Sequence, residues 1–199
     1  MTTRQLNREE WLTEISEQLI VDLFLPVTDV RDTMRLKLSV GFPPGCKPDT
    51  SVIGVCFASI ASDDGFNEIF INPRISDSMA VLEVLVHELV HAIDDCQNGH
   101  RGEFARIARA VGLEGKLTAT VASAELREKL QVYIDQYGDI PHAAINYNAR
   151  KRQTNRQKKV WCGCGFVFRT SAAQINNCIE LTGGICCPQC TNFMEYESV

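Results

Sequence analysis

The chain has 199 residues, 45% of them hydrophobic, which suits one core-forming domain of about 150 residues with a small appendage. No apolar run nears the ~20 residues that span a bilayer, and the polar first ten residues do not resemble a secretory signal, so a membrane role is not expected. The net charge of −5 conceals an asymmetry: residues 1–148 carry 13 basic and 22 acidic side chains, residues 149–199 carry 7 and 3, so any polyanion contact is expected on the tail.

Asn7 as N-cap, with Glu10 completing a capping box and Leu6 facing Trp11 as a staple, predicts a helix over 8–24 that Pro26 ends. Its stripe of Trp11, Ile15, Leu19 and Leu23 marks it as a packing helix. Residues 34–42 then alternate apolar and polar, predicting a half-buried strand. A second strand is expected near 52–58 and, after the Asp63-Asp-Gly65 turn, a third at 68–71. Cys46, Cys56 and Cys96 have no metal-ligand spacing and are expected to be structural.

The run from Val81 to Ile93 contains His87-Glu-Leu-Val-His91 on an otherwise apolar background. Residues four apart on a helix lie nearly above one another, so both imidazoles share one face, spaced for a tetrahedral Zn²⁺, with Glu88 at its edge. Glu83, His87, His91 and Asp94 form a single polar stripe on a helix that should be buried and capped by Ser76 or Asp77. Buried ionisable groups are normally paired or metal-bound, which favours a site over an exposed polar face. Glu83 and Asp94 are placed to orient the imidazoles from behind. The third ligand lies beyond the helix. Asn98-Gly99 reverses the chain and brings His100 back, with Glu114 as the rival.

Downstream, a helix over 103–111, a loop over 112–120 and a helix near 123–137 are predicted, the last with Leu126, Leu130, Tyr133 and Ile134 facing inward. His142 is expected to pack, with substrate or oxyanion contact as the alternative. Residues 148–159 include six basic side chains and no apolar anchor, which makes a mobile or loosely helical linker. Lys151, Arg152, Lys158 and Lys159 are its candidate phosphate contacts, against the plainer reading of a solvated charge run. Two close cysteine pairs follow, Cys162/Cys164 and Cys187/Cys190, about 22 residues apart. They read as a zinc ribbon with strands near 166–169 and 193–196. Cys186 is an alternative to Cys187, Cys178 a spectator, and Trp161, Phe166 and Phe168 are expected to be exposed beside the basic groups.

The pattern His87-Glu-Leu-Val-His91 with Gly99-His100-x-x-Glu103-Phe104 resembles SprT-like (Spartan-related) zinc metallopeptidase domains, and most closely those encoded by bacteriophages. The resemblance extends over roughly 66–190, through Glu68-Ile-Phe-Ile-Asn-Pro73, the stretch from Val111 to Val121, Pro141-His-Ala-Ala144 and the cysteine ribbon. It departs at the ribbon's first pair, where the relatives carry C-x-x-C but the spacing here is C-x-C, with Trp161 in place of the first ligand. It implies that His100 is the third ligand and that the substrate is a protein, either DNA-bound or a phage or host protein being processed.

Together these readings predict an α+β fold: a small zincin-like sheet packed on a buried H-E-x-x-H helix, followed by a small C-terminal zinc ribbon. The expected divisions are a metallopeptidase domain at 1–147, a basic linker at 148–159 and the ribbon at 160–199. His87, His91 and His100 would hold a catalytic Zn²⁺ with Glu88 as general base, and Cys162, Cys164, Cys187 and Cys190 a structural one. Nine cysteines without a signal point to a reducing cytoplasm, that of the host for a phage protein. DNA is the expected partner of linker and ribbon. The rival class is a non-enzymatic nucleic-acid-binding or transcription-associated protein in which both zincs are structural, a reading that leaves Glu88 without a role.

Overall fold

In the computed structural model, which describes residues 5–42, 51–149 and 157–198, Asn7 opens helix α1 (Arg8–Leu19). Its side chain accepts the Glu10 N–H while Glu10 accepts the Asn7 N–H, both at 2.9 Å. Beyond Leu19 the helix continues as one π-helical turn, Ile20–Phe24, closed by the Leu25 N–H on the Ile20 carbonyl. The widened turn buries Leu23 and Phe24 together. The polypeptide divides into two compact units, Met1–Asn148 and Ala149–Val199, and is mixed α+β with small sheets.

In the first unit, β1 (Leu36–Val40), β2 (Gly54–Phe57) and β3 (Asn67–Ile71) form a sheet in the order β1-β3-β2. β3 pairs parallel with β1 and antiparallel with β2, so β2 is an edge. Helix α2 (Ser78–Ile93) crosses this sheet, and Asp77, not Ser76, caps it by accepting the Ala80 N–H. Val81, Leu82, Leu85, Val86, Leu89 and Val90 are all fully buried. The approach to β2 is close enough to exclude a side chain there. A Cβ on Gly54 would lie 2.5 Å from both Glu88 Oε1 and Val84 Cγ1.

Helix α3 (Gly102–Ala110) follows, then a hairpin of β4 (Leu113–Lys116) and β5 (Ala119–Ala122) where a loop was expected. Helix α4 (Ala124–Tyr137) starts at Ser123, whose hydroxyl accepts the Leu126 N–H, and ends at Gly138 with φ 77°. It buries Leu126, Leu130 and Tyr133, and Ile134 also packs on the core. The Trp11 indole N–H donates to the Gly138 carbonyl at 3.0 Å and ties α4's end to α1.

The second unit is a sheet in the order β7-β6-β8, from β6 (Lys158–Trp161), β7 (Val167–Thr170) and β8 (Glu195–Tyr196). An unexpected helix α5 (Ala172–Thr182) joins β7 to the second cysteine pair, capped by Ser171 and ended by Gly183 at φ 76°. Lys158 and Lys159 therefore belong to a strand and not to a linker; Lys158 Nζ donates to the Ser198 carbonyl, and Lys159 Nζ lies over the Trp161 ring. Lys151 and Arg152 lie outside the described residues, as does Cys46. Phe166 and Phe168 are partly buried on this unit's own core, contrary to the expected exposure; the exposed rings are Phe193 and Tyr196. Among the described residues, no helix is long and apolar enough to cross a membrane.

Candidate metal centres

Helix α2 presents His87 and His91 from successive turns, and the segment after it is folded to return His100. The Asp94 carboxylate accepts the Asn98 N–H at 2.8 Å and the Asn98 side-chain amide at 2.6 Å. Asp95 and Cys96 take left-handed φ of 49° and 56°, values L-residues seldom adopt. The Asp95 carboxylate stabilises this turn by accepting from the Ser59 N–H and hydroxyl and from Asn67, with Arg31 at 3.4 Å.

The result is a convergence of three Nε2 atoms. His100 Nε2 lies 3.3 Å from that of His87 and 3.2 Å from that of His91. Donors at the corners of a tetrahedron with metal–nitrogen bonds of about 2.05 Å sit roughly 3.3 Å apart, so the spacing fits one ion shared by all three. Glu114 is exposed on β4 and is not part of this group. Burial, reinforced by the neighbouring imidazoles, lowers His87 to about 4 and His91 to about 3, and burial lowers His100 as well. All three are therefore neutral at pH 7, the form that binds metal. The buried Phe104 ring touches every one of them, with centroids 5.2, 4.3 and 5.0 Å from His87, His91 and His100.

Behind the cluster the supporting partner is Thr120, on β5 of the unexpected hairpin. Its Oγ1 is 2.8 Å from His87 Nδ1. With Nε2 turned to a metal, Nδ1 carries the proton and donates it to this hydroxyl. Glu83 and Asp94 do not take the orienting role expected of them: Glu83 pairs with Arg127, and Asp94 is used by the Asn98 turn.

Glu88 is 5% exposed and lies against β2 at Gly54. Burial, and then the proximity of Cys96, raise its carboxyl to about 8, while the Cys56 N–H acts in the opposite sense. Glu88 and the three histidines line a cavity of about 630 Å³. One wall is the edge segment with Val52, Ile53 and Val55, the other the hairpin with Ala119 and Val121. Neither His142 nor Tyr133, Tyr137 or Tyr147 lines it. Tyr133 donates to Asp22, Tyr137 accepts from Gln18, Tyr147 stacks edge-on with Phe42, and His142 lies between Arg8 and the Pro73 carbonyl. His142 thus packs.

In the second unit the Sγ atoms of Cys162, Cys164, Cys187 and Cys190 all lie within 4.8 Å of one another. Cys162–Cys190 and Cys164–Cys187 are 3.3 and 3.5 Å apart. Tetrahedral metal–sulfur bonds of about 2.3 Å place sulfurs about 3.8 Å apart, so the four thiols already approach a shared ion's geometry. The C-x-C departure is accommodated by a turn in which the Cys162 N–H donates to the Phe166 carbonyl and Gly165 takes φ 95°. Burial would raise the Cys187 thiol, but the N–H groups of Cys190 and Gln189 bring it down to about 7. Cys186 is exposed and outside the group, and Cys178 packs against the core.

Compared with family models, with curated proteins and with solved structures, the sequence and fold have no match.

Two outcomes follow from this geometry. Thr120→Ala should weaken metal binding at the histidine centre by about 10–100-fold, and Thr120→Ser should restore most of it; competition with a chromophoric chelator measures both. Unchanged affinity for Thr120→Ala would remove the supporting role. The second outcome concerns Glu88. The folded protein keeps on Glu88 a proton that the unfolded chain loses near pH 4.5, so the contribution of Glu88 to metal-free stability falls as pH rises from about 4.5 to 8 and then levels. Glu88→Gln should remove that contribution and so gain on wild type by a few kcal/mol between pH 5 and 8.5, at about 1.4 kcal/mol per pKa unit. Urea unfolding of chelated protein at pH 5 and 8.5 tests it; equal pH slopes for the two proteins would show a solvated carboxyl.

Proposed function

We propose that the protein is a zinc-dependent endopeptidase with a zincin-like layout, of the SprT-like (Spartan-related) kind that its motifs resemble. His87, His91 and His100 hold the catalytic zinc, and Cys162, Cys164, Cys187 and Cys190 the structural one. The observation that carries this reading is the buried carboxyl of Glu88 beside three neutral, convergent imidazoles at the wall of a cavity. Three imidazoles in one centre and four thiols in the other, each at tetrahedral spacing, favour zinc over harder or octahedral ions. If both ions were only structural, neither the cavity nor a buried acid within it would have a use.

Zinc, when bound, supplies Lewis acidity that makes water a nucleophile near neutral pH and polarises the peptide carbonyl. Glu88 accepts the attacking water's proton and returns it to the leaving amine. Its high proton affinity, moderated by a neighbouring divalent charge, suits both halves of that transfer. Thr120 fixes the His87 ring, and Phe104 packs against all three. The apolar walls favour an extended, unfolded protein segment over a charged small molecule. The second unit, with Lys151, Arg152, Lys158 and Lys159, directs the enzyme to DNA, which makes DNA-associated proteins the substrate class.

Glu88→Gln should retain two zinc equivalents yet lose hydrolysis of an unfolded protein by about 10²-fold or more. His100→Ala should lose one equivalent, and Cys187→Ser with Cys190→Ser the other. Wild-type cleavage by Glu88→Gln would refute the mechanism, and full zinc in His100→Ala would refute the ligand set. DNA affinity of the whole protein should fall with salt, and neutralising Lys151, Arg152, Lys158 and Lys159 together should flatten that dependence. An unchanged slope would remove DNA as the partner.

A further inference from the structure

Two cysteines that neither metal centre uses meet beside Glu88. Cys56 lies on the edge strand β2 and Cys96 on the left-handed turn after α2, and the Cys96 thiol donates to the Cys56 carbonyl at 3.5 Å. The two thiols are neighbours. Both are half-buried and line the same cavity as the histidines, so a small solute reaches them.

Their main-chain contacts connect the pair to the reaction machinery. Glu88 lies so close to β2 that a Cβ on Gly54 would be 2.5 Å from its Oε1, and the Cys96 N–H donates to the His91 carbonyl at 2.8 Å. A pair of thiols open to one cavity can form a sulfenic acid on one sulfur and resolve it with the other.

We propose that Cys56 and Cys96 form a reversible dithiol–disulfide pair, oxidised by a peroxide, that switches the histidine–Glu88 centre off. One thiolate of the pair attacks a peroxide oxygen, the O–O bond breaks, and a sulfenic acid forms as hydroxide leaves. The other thiol, giving its proton to that hydroxide, then displaces the sulfenic hydroxyl from sulfur. Overall two thiols yield two electrons and two protons, and the peroxide leaves as two waters. A bond of about 2.05 Å is shorter than any contact between unbonded sulfurs, so its formation draws β2 and the turn together. Glu88, packed against β2, and His91, whose carbonyl accepts the Cys96 N–H, move with them. A dithiol reductant reverses the step.

The loss of hydrolysis rests on the peptidase reading; formation of the bond does not. The test treats full-length, zinc-loaded protein with hydrogen peroxide and maps its peptides without reduction. A Cys56–Cys96 cross-linked peptide is expected, with both zinc equivalents retained and protein hydrolysis reduced by about 10²-fold, the usual contribution of a general base. Dithiothreitol should restore activity, and Cys96→Ser should be active and unaffected by the same treatment. In the cobalt(II)-substituted protein the visible bands of the histidine centre should shift as the cross-link forms, whether or not the protein cleaves anything. Absence of the cross-link, unshifted cobalt bands, or equal inactivation of Cys96→Ser would overturn the proposal. A reduced protein that forms the cross-link and shifts those bands, but never hydrolyses protein, would overturn the peptidase reading and leave the pair standing.

Discussion

Burying ionisable groups within a helix that is otherwise apolar is the constraint on which the first unit depends. An unpaired charge in such surroundings costs several kcal/mol, so each group must be neutral, paired or bound to an ion. The imidazoles remain neutral because burial holds their proton affinity far below its ordinary value. Glu88 reaches the same end from the opposite side, by keeping its proton. The surrounding parts serve that state: an aromatic ring against the imidazoles, a hydroxyl behind His87, and a glycine that lets the edge strand touch the acid. A divalent cation among three neutral donors reverses the local preference and favours the ionised carboxylate.

The second unit meets a different shortage. Its buried apolar set is Val160, Ile175, Ile185 and Met194 together with the sulfurs of Cys162 and Cys187, too little to stabilise about fifty residues through apolar burial alone. Four thiols in one cluster supply the missing cohesion once an ion neutralises them, because the binding free energy of such an ion is then folding free energy. The sheet and α5 hold the two cysteine turns at the right spacing, and a bound ion would in turn hold the sheet.

Much of this was legible in the sequence where local rules decide the outcome. The capping box at Asn7, the four-residue histidine spacing, the Asn98-Gly99 turn and the paired cysteines each carry their own short-range geometry. The β4–β5 hairpin was not legible, because only Leu113 and Ala122, at its two ends, are buried, and no period-two apolar signal runs between them. Thr120 was missed with it. Helix α5 escaped for a similar reason: Ile175 is its one fully buried residue. Glu83 and Asp94 lay on the right face, but which partner each takes was decided by Arg127 and Asn98, on other segments. Charge alone placed Lys158 and Lys159 in a linker, whereas Val160 between them and the first cysteine anchors a strand.

The two donor sets occupy separate stretches of the polypeptide. The histidine centre and its supports run from Gly54 to Val121, and the thiol centre from Cys162 to Cys190. No donor of one is interleaved with those of the other. Domains generally fold as units and in order as they leave the ribosome, at about 5–20 residues per second. All three imidazoles are therefore made before the first of the four clustered thiols. An ion captured early in synthesis would meet the histidine set before Cys162, Cys164, Cys187 and Cys190 could compete for it.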